Sequence, residues 1–156
     1  MTDKAFGGSA RWIWSSEGCW GRAPGSDPYR LRYFRRVFEA PTANCRLVIR
    51  VSADSRYQLW CNGKRAGRGP APGNLAHQYY DTIDLTSFLK QGLNVIAVQV
   101  VSYADCWPTP DGGGAPGEVL TAMGAFIVEG TLHDAQGQVV EVLDADGEWR
   151  VLVDQA

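Results

Sequence analysis

Residues Asp54 to Lys64 read DSRYQLWCNGK, and the fold of the chain can be worked outward from them. Between Arg56 and Cys61 the side chains alternate, so Tyr57, Leu59 and Cys61 fall on one face and Arg56, Gln58 and Trp60 on the other. A period of two is that of a strand with one face buried. Asn62 is grouped with the outward set. Asn62-Gly63 then signals a two-residue hairpin, because both residues tolerate positive φ. A returning strand is expected over Lys64–Gly67, and Asp54-Ser55 reads as a tight connection from the strand before.

On the N-terminal side, Cys45–Ala53 alternates in the same way. Leu47, Ile49, Val51 and Ala53 face inward, and Arg46, Val48, Arg50 and Ser52 face outward. Tyr29–Glu39 is a long strand ended by Ala40-Pro41, Arg11–Trp14 a short one, and Gly18–Pro28 a loop. On the C-terminal side, Gly67–Gly73 (GRGPAPG) reads as loop and Gln78–Leu85 as strand. Thr86 reads as the N-cap of one helical turn, Ser87–Lys90, closed by Gly92. Asn94–Tyr103 is almost continuously apolar, as expected of a strand covered on both faces. Asp105–Thr121 is the longest irregular segment, a length that is uncommon without a function. Strands follow at Met123–His133, Val139–Leu143 and Glu148–Val153, with turns at Asp134–Gly137 and Asp144–Gly147. The pattern predicts a single all-β domain over residues 9–154, an antiparallel β-sandwich or jelly roll with one short helical turn. Residues 1–8 are expected to be a flexible N-terminus.

The chain has 156 residues and a net charge of −2. With 45% hydrophobic and 21% charged residues, its composition is that of a globular domain. The charge excludes a global basic field for nucleic acid or an anionic membrane. Arg30, Arg32, Arg35 and Arg36 do cluster, but in a strand-like run. No stretch approaches the roughly 20 apolar residues of a bilayer span, and MTDKAFGGSARW contains no apolar signal core, so the expectation is either a cytoplasmic protein or a sequence that begins after a removed signal. Cys19, Cys45, Cys61 and Cys106 form no CxxC pair, so a zinc site is not expected. Cys61 reads as a small buried hydrophobe. Cys19 and Cys106 each precede a tryptophan in a Gly/Pro-rich segment. Free thiols suit the cytoplasm, and a bridge between these two stays open as the alternative.

Enzymatic constellations are scarce. His77 and His133 have no nucleophile nearby, and no GxSxG, HExxH or GxxxxGK[ST] occurs. A carboxylate pair about 5–9 Å apart would suit glycoside hydrolysis, but no spacing picks one out. Asp54, Asp111, Asp134, Asp144 and Asp146 read as solvated turn residues. The aromatic inventory says more, with six tryptophans. At least one of Trp12 and Trp14 is expected in the core, and Trp149 as well. Trp20 and Trp107 lie in loops, and Trp60 faces out of its strand. Exposed rings beside polar groups are how proteins hold sugars, the ring covering a pyranose face while donors and acceptors take the hydroxyls. The alternative is that the loop tryptophans plug the ends of the sandwich.

The succession ARWIW, YFRRVFEAP, RLVIRVSADSRYQLWCNGKRAGRGPAPG, YYDTIDLTSFLKQGLNVIAVQV and DGEWRVL resembles the N-terminal β-sandwich of bacterial α-L-rhamnosidases, over about Trp12 to Val153. The looser pattern, NGK…G with DLT and G-x-N, is shared with the galactose-binding-like superfamily. Much of it has a physical origin without a ligand. Asn62-Gly63 turns a hairpin, Asp84 and Thr86 start a helical turn, and Gly92 ends it. Arg36 shares parity with Phe34 and Phe38, so it is expected inward with a carboxylate partner such as Asp54 or Asp81, unless a bulge turns it out.

Rhamnosidases of this resemblance hydrolyse their substrate in a separate (α/α)6 barrel, and the present chain ends at Ala156 without one. The resemblance therefore implies no hydrolysis by this chain. It implies a non-catalytic accessory domain, packed against a missing catalytic domain, with an uncovered face that could also pair two copies. The alternative is an autonomous carbohydrate-binding module for rhamnose or a related sugar. Its candidate residues are Trp20, Arg56, Trp60, Arg68, Tyr103, Asp105 and Trp107, and calcium is a candidate companion ion because such sites occur in the superfamily.

Overall fold

The computed structural model of the chain describes residues 6–15, 30–73, 78–103 and 124–154. Among them nine strands follow one another: β1 (Arg30–Ala40), β2 (Arg46–Asp54), β3 (Arg56–Cys61), β4 (Lys64–Gly69), β5 (Asp81–Asp84), β6 (Gly92–Ser102), β7 (Ala125–His133), β8 (Val139–Val142) and β9 (Arg150–Val153). One sheet has the order β4-β3-β6-β1-β9 and the other β5-β2-β7-β8. Their pairings are antiparallel. The fold is the antiparallel β-sandwich that the alternating pattern predicts. The expected loops at Gly18–Pro28 and Asp105–Thr121, with Cys19 and Cys106, fall largely or wholly outside the described residues.

The two sheets close on the inward residues of each strand. Leu47, Ile49, Val51 and Ala53 of β2, and Tyr57, Leu59 and Cys61 of β3, are all buried. Aromatic rings bridge the layers. Phe34 of β1 meets Phe126 of β7 at 4.8 Å between centroids, and Phe126 meets Trp149 edge-on at 5.5 Å. Each fully buried side chain of this size is worth about 1.5–3 kcal/mol of transfer free energy. Trp149 donates its indole N–H to the carbonyls of Leu143 and Asp144, so its polar edge is satisfied inside the core. Of the N-terminal pair, Trp14 packs against the core and Trp12 is exposed. The expected strand at Arg11–Trp14 reduces to a single bridge between Ile13 and Phe126.

The hairpin turns at Asn62 (φ 50°) and Gly63 (φ 77°). Contrary to the outward placement expected of it, the Asn62 side chain is turned into the structure. It donates to the carbonyl of Phe88 and to Asn94 Oδ1, and accepts from the amide of Val95. Asn94, fully buried, accepts from the Lys90 amide and donates to the carbonyls of Lys90 and Gly92. This pair ties the β3–β4 turn to the start of β6 with all its polar atoms satisfied, as a buried amide requires.

Several boundaries moved. β4 runs through Gly69 instead of ending at Gly67, because GRG pairs with β3 as Leu59↔Gly67, Gln58↔Arg68 and Tyr57↔Gly69. A Cβ at Gly69 would collide with the Asp81 carboxylate and lie 3.1 Å from the Tyr57 ring, so the strand can pass there only as glycine. β5 begins at Asp81, not Gln78. The helical turn is a 3-10 turn at Thr86–Phe88. Its entry is held by Asp84 Oδ1, which accepts the Thr86 amide, while the Thr86 hydroxyl also accepts the Leu47 amide. β6 is not covered on both faces: Ile96, Val98 and Val100 are buried, whereas Val95, Ala97, Gln99 and Val101 are half-exposed. Being central in its sheet protects its backbone, not both rows of side chains.

Arg36 points inward between Phe34 and Phe38, as its parity required, but neither Asp54 nor Asp81 meets it. Its guanidinium donates to Glu141 at 2.8 Å and to Glu148. Asp81 is taken by the Tyr57 hydroxyl at 2.6 Å. Asp54 is buried, as is Asp144, which accepts from the amides of Ser9 and Gly130. Both therefore depart from the solvated-turn reading. Asp134 and Asp146 keep it, each accepting an amide two residues ahead.

Candidate functional site

The outward residues of β2 and β7 lie side by side in register, as Arg46↔His133, Val48↔Thr131 and Arg50↔Glu129. On the other side of β2, Thr82 of β5 stands opposite Arg50. With Asn44, Tyr80 and Asp134 these residues line an open cleft of ≈ 970 Å³ over the four-stranded sheet. Glu129 sits at its Arg50 end. One carboxylate oxygen lies 3.6 Å from Arg50, and the other accepts the amides of Gly7 and Gly8 at 3.1 and 2.6 Å. Phe6 stacks edge-on against Tyr80 at 5.7 Å, so the segment before Ser9 bounds the cleft at one end. The lining mixes guanidinium, imidazole, hydroxyl, amide and carboxylate groups with one phenol ring. That combination presents donors and acceptors to a hydroxyl-rich ligand and a flat apolar surface to its ring.

The seven residues singled out in the sequence are distributed differently. Arg56, Trp60 and Arg68 do share the outer face of the five-stranded sheet, where Arg68 stands opposite Gln58, between the other two along β3. Arg56 and Trp60 are half-buried and Arg68 is exposed. Arg56 donates to the carbonyl of Pro70, which holds its guanidinium against the chain. Trp60 is flanked by Ala97 of β6 and Arg65 of β4. Tyr103 follows β6 at the Arg56 end, its amide donating to the Ser55 hydroxyl. Four residues separate Arg56 from Trp60, about 13 Å along a strand, so these side chains make a stripe, not a pocket. Trp20, Asp105 and Trp107 lie outside the described residues.

The cleft residues were visible in the sequence only as the wet face of a strand. Arg46, Val48 and Arg50 had the right parity, but nothing in one sequence says that His133 and Glu129 stand beside them. That requires the β2–β7 register, which joins residues about eighty positions apart.

The titratable groups of the fold are tuned structurally. Burial pushes the Cys61 thiol up to about 11. Burial, with the hydrogen bond and charge of Asp81, raises Tyr57 far above the ordinary phenol range. The Thr86 hydroxyl and amide hold Asp84 below the usual carboxylate range, with a smaller contribution from Arg46. Among the described residues no group of three or more His, Cys, Asp or Glu side chains is placed to hold a metal ion, and no residues there identify a calcium site.

No protein-family model matches the chain, and no curated protein matches it significantly. Solved structures do. A GH78-family rhamnosidase of Bacillus sp. GL1 aligns over 93% of this chain with 30% identity and a TM-score of 0.64, and the match covers 13% of that enzyme. An α-L-rhamnosidase from Aspergillus terreus aligns over 93% with a TM-score of 0.73 and 22% identity, covering 17% of its length. The Pleurotus ostreatus lectin, solved both apo and with GalNAc, shares the fold over 93% of this chain in the apo form, at a TM-score of 0.60 and 23% identity. By its fold the chain is thus an antiparallel β-sandwich of the kind found in these proteins. The resemblance expected from its motifs holds: it is similar to a domain-sized portion, well under a fifth, of α-L-rhamnosidases.

Proposed function

We propose that this chain is a non-catalytic, carbohydrate-binding accessory domain of a glycoside hydrolase of the α-L-rhamnosidase type. The observation that carries the reading is the alignment of 93% of the chain, at 30% identity, with only 13% of the Bacillus sp. GL1 rhamnosidase. A match of that shape is what one domain of a multidomain enzyme gives. The lectin of the same fold, solved with GalNAc, supports a sugar role for the domain itself.

The cleft over the four-stranded sheet is the site that the geometry favours. Its volume suits a small saccharide, and Arg46, Arg50, Thr131 and His133 present donors to hydroxyls across a flat strand surface. The outer face carrying Arg56, Trp60 and Arg68 would then be the one that meets the remainder of the enzyme, as Arg and aromatic residues often do at interfaces.

Isothermal titration with L-rhamnose and N-acetylgalactosamine, in calcium and in chelator, tests this reading. Saturable binding lost in Arg50→Ala and Tyr80→Ala, but kept in Trp60→Ala, supports the cleft. Loss in Trp60→Ala or Trp107→Ala alone moves the site to the outer stripe or the segment beyond Tyr103. No binding of either sugar leaves a purely structural accessory domain.

A further inference from the structure

Arg35 of β1 and Arg150 of β9 stand directly opposite one another on the outer face of the five-stranded sheet. Like charges in that relation repel, and among the described residues neither has an ion pair or a side-chain hydrogen bond of its own. The β1–β9 pairing stops at this pair. Beyond it the chain leaves the sheet edge through Gly147 and Glu148, opening a notch of ≈ 500 Å³ lined by Arg35, Arg36, Val37, Gly147, Glu148 and Arg150. Arg36 also borders the notch, but its side chain turns to the inner face of the sheet. The residue is only 5% exposed, and its Nε has no hydrogen-bond partner, although its two terminal nitrogens reach Glu141 and Glu148. Arg35 and Arg150 thus leave two uncompensated guanidiniums on the outer face beside the notch, in a chain whose net charge is −2.

We infer that this notch binds the carboxylate of an acidic saccharide, a uronic acid residue. The inference rests on the reading of the chain as a carbohydrate-binding domain and assigns it a second, anionic subsite. Paired guanidiniums match a carboxylate in geometry and charge. A bound carboxylate would also relieve the repulsion between Arg35 and Arg150. The rest of the lining is suited to the sugar carrying that group. Glu148, whose side chain is 69% exposed, can accept from hydroxyls, and the exposed Val37 offers a small apolar surface to the C–H face of a ring. A concave notch of this composition fits a small polyhydroxy acid better than the flat face of an acidic protein.

The test is titration of the intact chain at low ionic strength with D-galacturonate and D-glucuronate, beside D-galactose, D-glucose and acetate. Arg35→Gln, Arg150→Gln and the double variant are examined in parallel. Saturable uronate binding is expected, weakened at least about tenfold by either substitution and abolished by both. The neutral parents and acetate should bind far more weakly, and uronate binding should fall as salt rises. Both substitutions are on exposed side chains, and removing one charge of the pair should leave the melting temperature equal or higher, which shows that the variants fold. Absence of uronate binding overturns the inference, as does binding that survives the double variant. Acetate binding as tight as galacturonate would reduce the notch to a bare anion site and overturn its saccharide assignment. L-rhamnose and N-acetylgalactosamine titrated into the double variant separate the two proposals. If they still bind while uronates never did, only the anionic subsite fails; if uronates alone bind, the subsite stands and the cleft over the four-stranded sheet does not.

Discussion

Arg36 on β1 and Glu141 on β8 meet at 2.8 Å, joining the five-stranded sheet to the edge of the four-stranded one. Glu148, from the turn before β9, closes on the same guanidinium. The arginine is buried and the two carboxylates are 30% and 69% exposed, so the charge taken from water is mainly that of Arg36. Such a group is costly to bury, and the two acids offset the cost without guaranteeing a net gain.

The energetic asymmetry of that clasp can be measured. Arg36→Met, which keeps most of the volume and removes the charge, should change stability by less than about 1.5 kcal/mol in either direction. Glu141→Ala combined with Glu148→Ala leaves the guanidinium buried and unpaired, and should cost about 3–5 kcal/mol. Urea unfolding of the two variants beside the parent chain decides it. Equal losses would mean that the ion pair itself stabilises the sandwich.

Alkaline pH should loosen the fold in two stages. The fold favours the neutral forms of Cys61 and Tyr57, whose values are raised from 9.0 and 10.0. The stability they supply is complete below those unfolded values. For Cys61 it is lost as pH rises from 9.0 through about 11, and for Tyr57 the loss begins near 10.0 and continues upward. Each contributes a slope of up to about 1.4 kcal/mol per pH unit while only the unfolded form ionises. Urea midpoints between pH 8 and 11 should fall less steeply in Cys61→Ala than in the parent, whatever the starting stability of the variant.

Gly69 should not accept a side chain. Alanine there drives its methyl group into the Asp81 carboxylate and against the Tyr57 ring, and so disturbs the hydrogen bond between them. A loss of about 1–3 kcal/mol is expected. Gly147, where a Cβ meets nothing within 4 Å, is the control. Thermal unfolding of Gly69→Ala and Gly147→Ala should separate clearly, with the second within about 0.5 kcal/mol of the parent.

Asn94 should prove among the most sensitive polar positions. Asn94→Ala strips partners from Asn62, Lys90 and Gly92 at once, and about 2–4 kcal/mol should be lost. Asn94→Asp restores the acceptor but not the two donated bonds, and should remain well below the parent. Hydrogen exchange would show the loss first at the amides of Lys90 and Val95, which the pair of asparagines holds.

Sequence alone was sufficient for whatever depends on neighbours in the chain. The alternation in Cys45–Ala53 and Arg56–Cys61 named the buried row of each strand, because successive side chains must point to opposite faces. Asn62-Gly63 named the hairpin, because few dipeptides tolerate its backbone. The order of these motifs also carried the rhamnosidase resemblance that the solved structures bear out.

What depends on residues distant in the chain was decided only by the tertiary structure. Parity turned Arg36 inward but could not choose Glu141 and Glu148 over Asp54 and Asp81, since that choice belongs to the stacking of two sheets. GRG looked like loop because its glycines have low strand propensity, yet the Tyr57–Asp81 pair requires that absence of side chains beside it. The cleft of Arg46, Arg50, Glu129 and His133, and the opposed Arg35 and Arg150, exist through strand register alone. Register is set when both sheets bury their apolar rows together, and no local stretch of this chain contains that information.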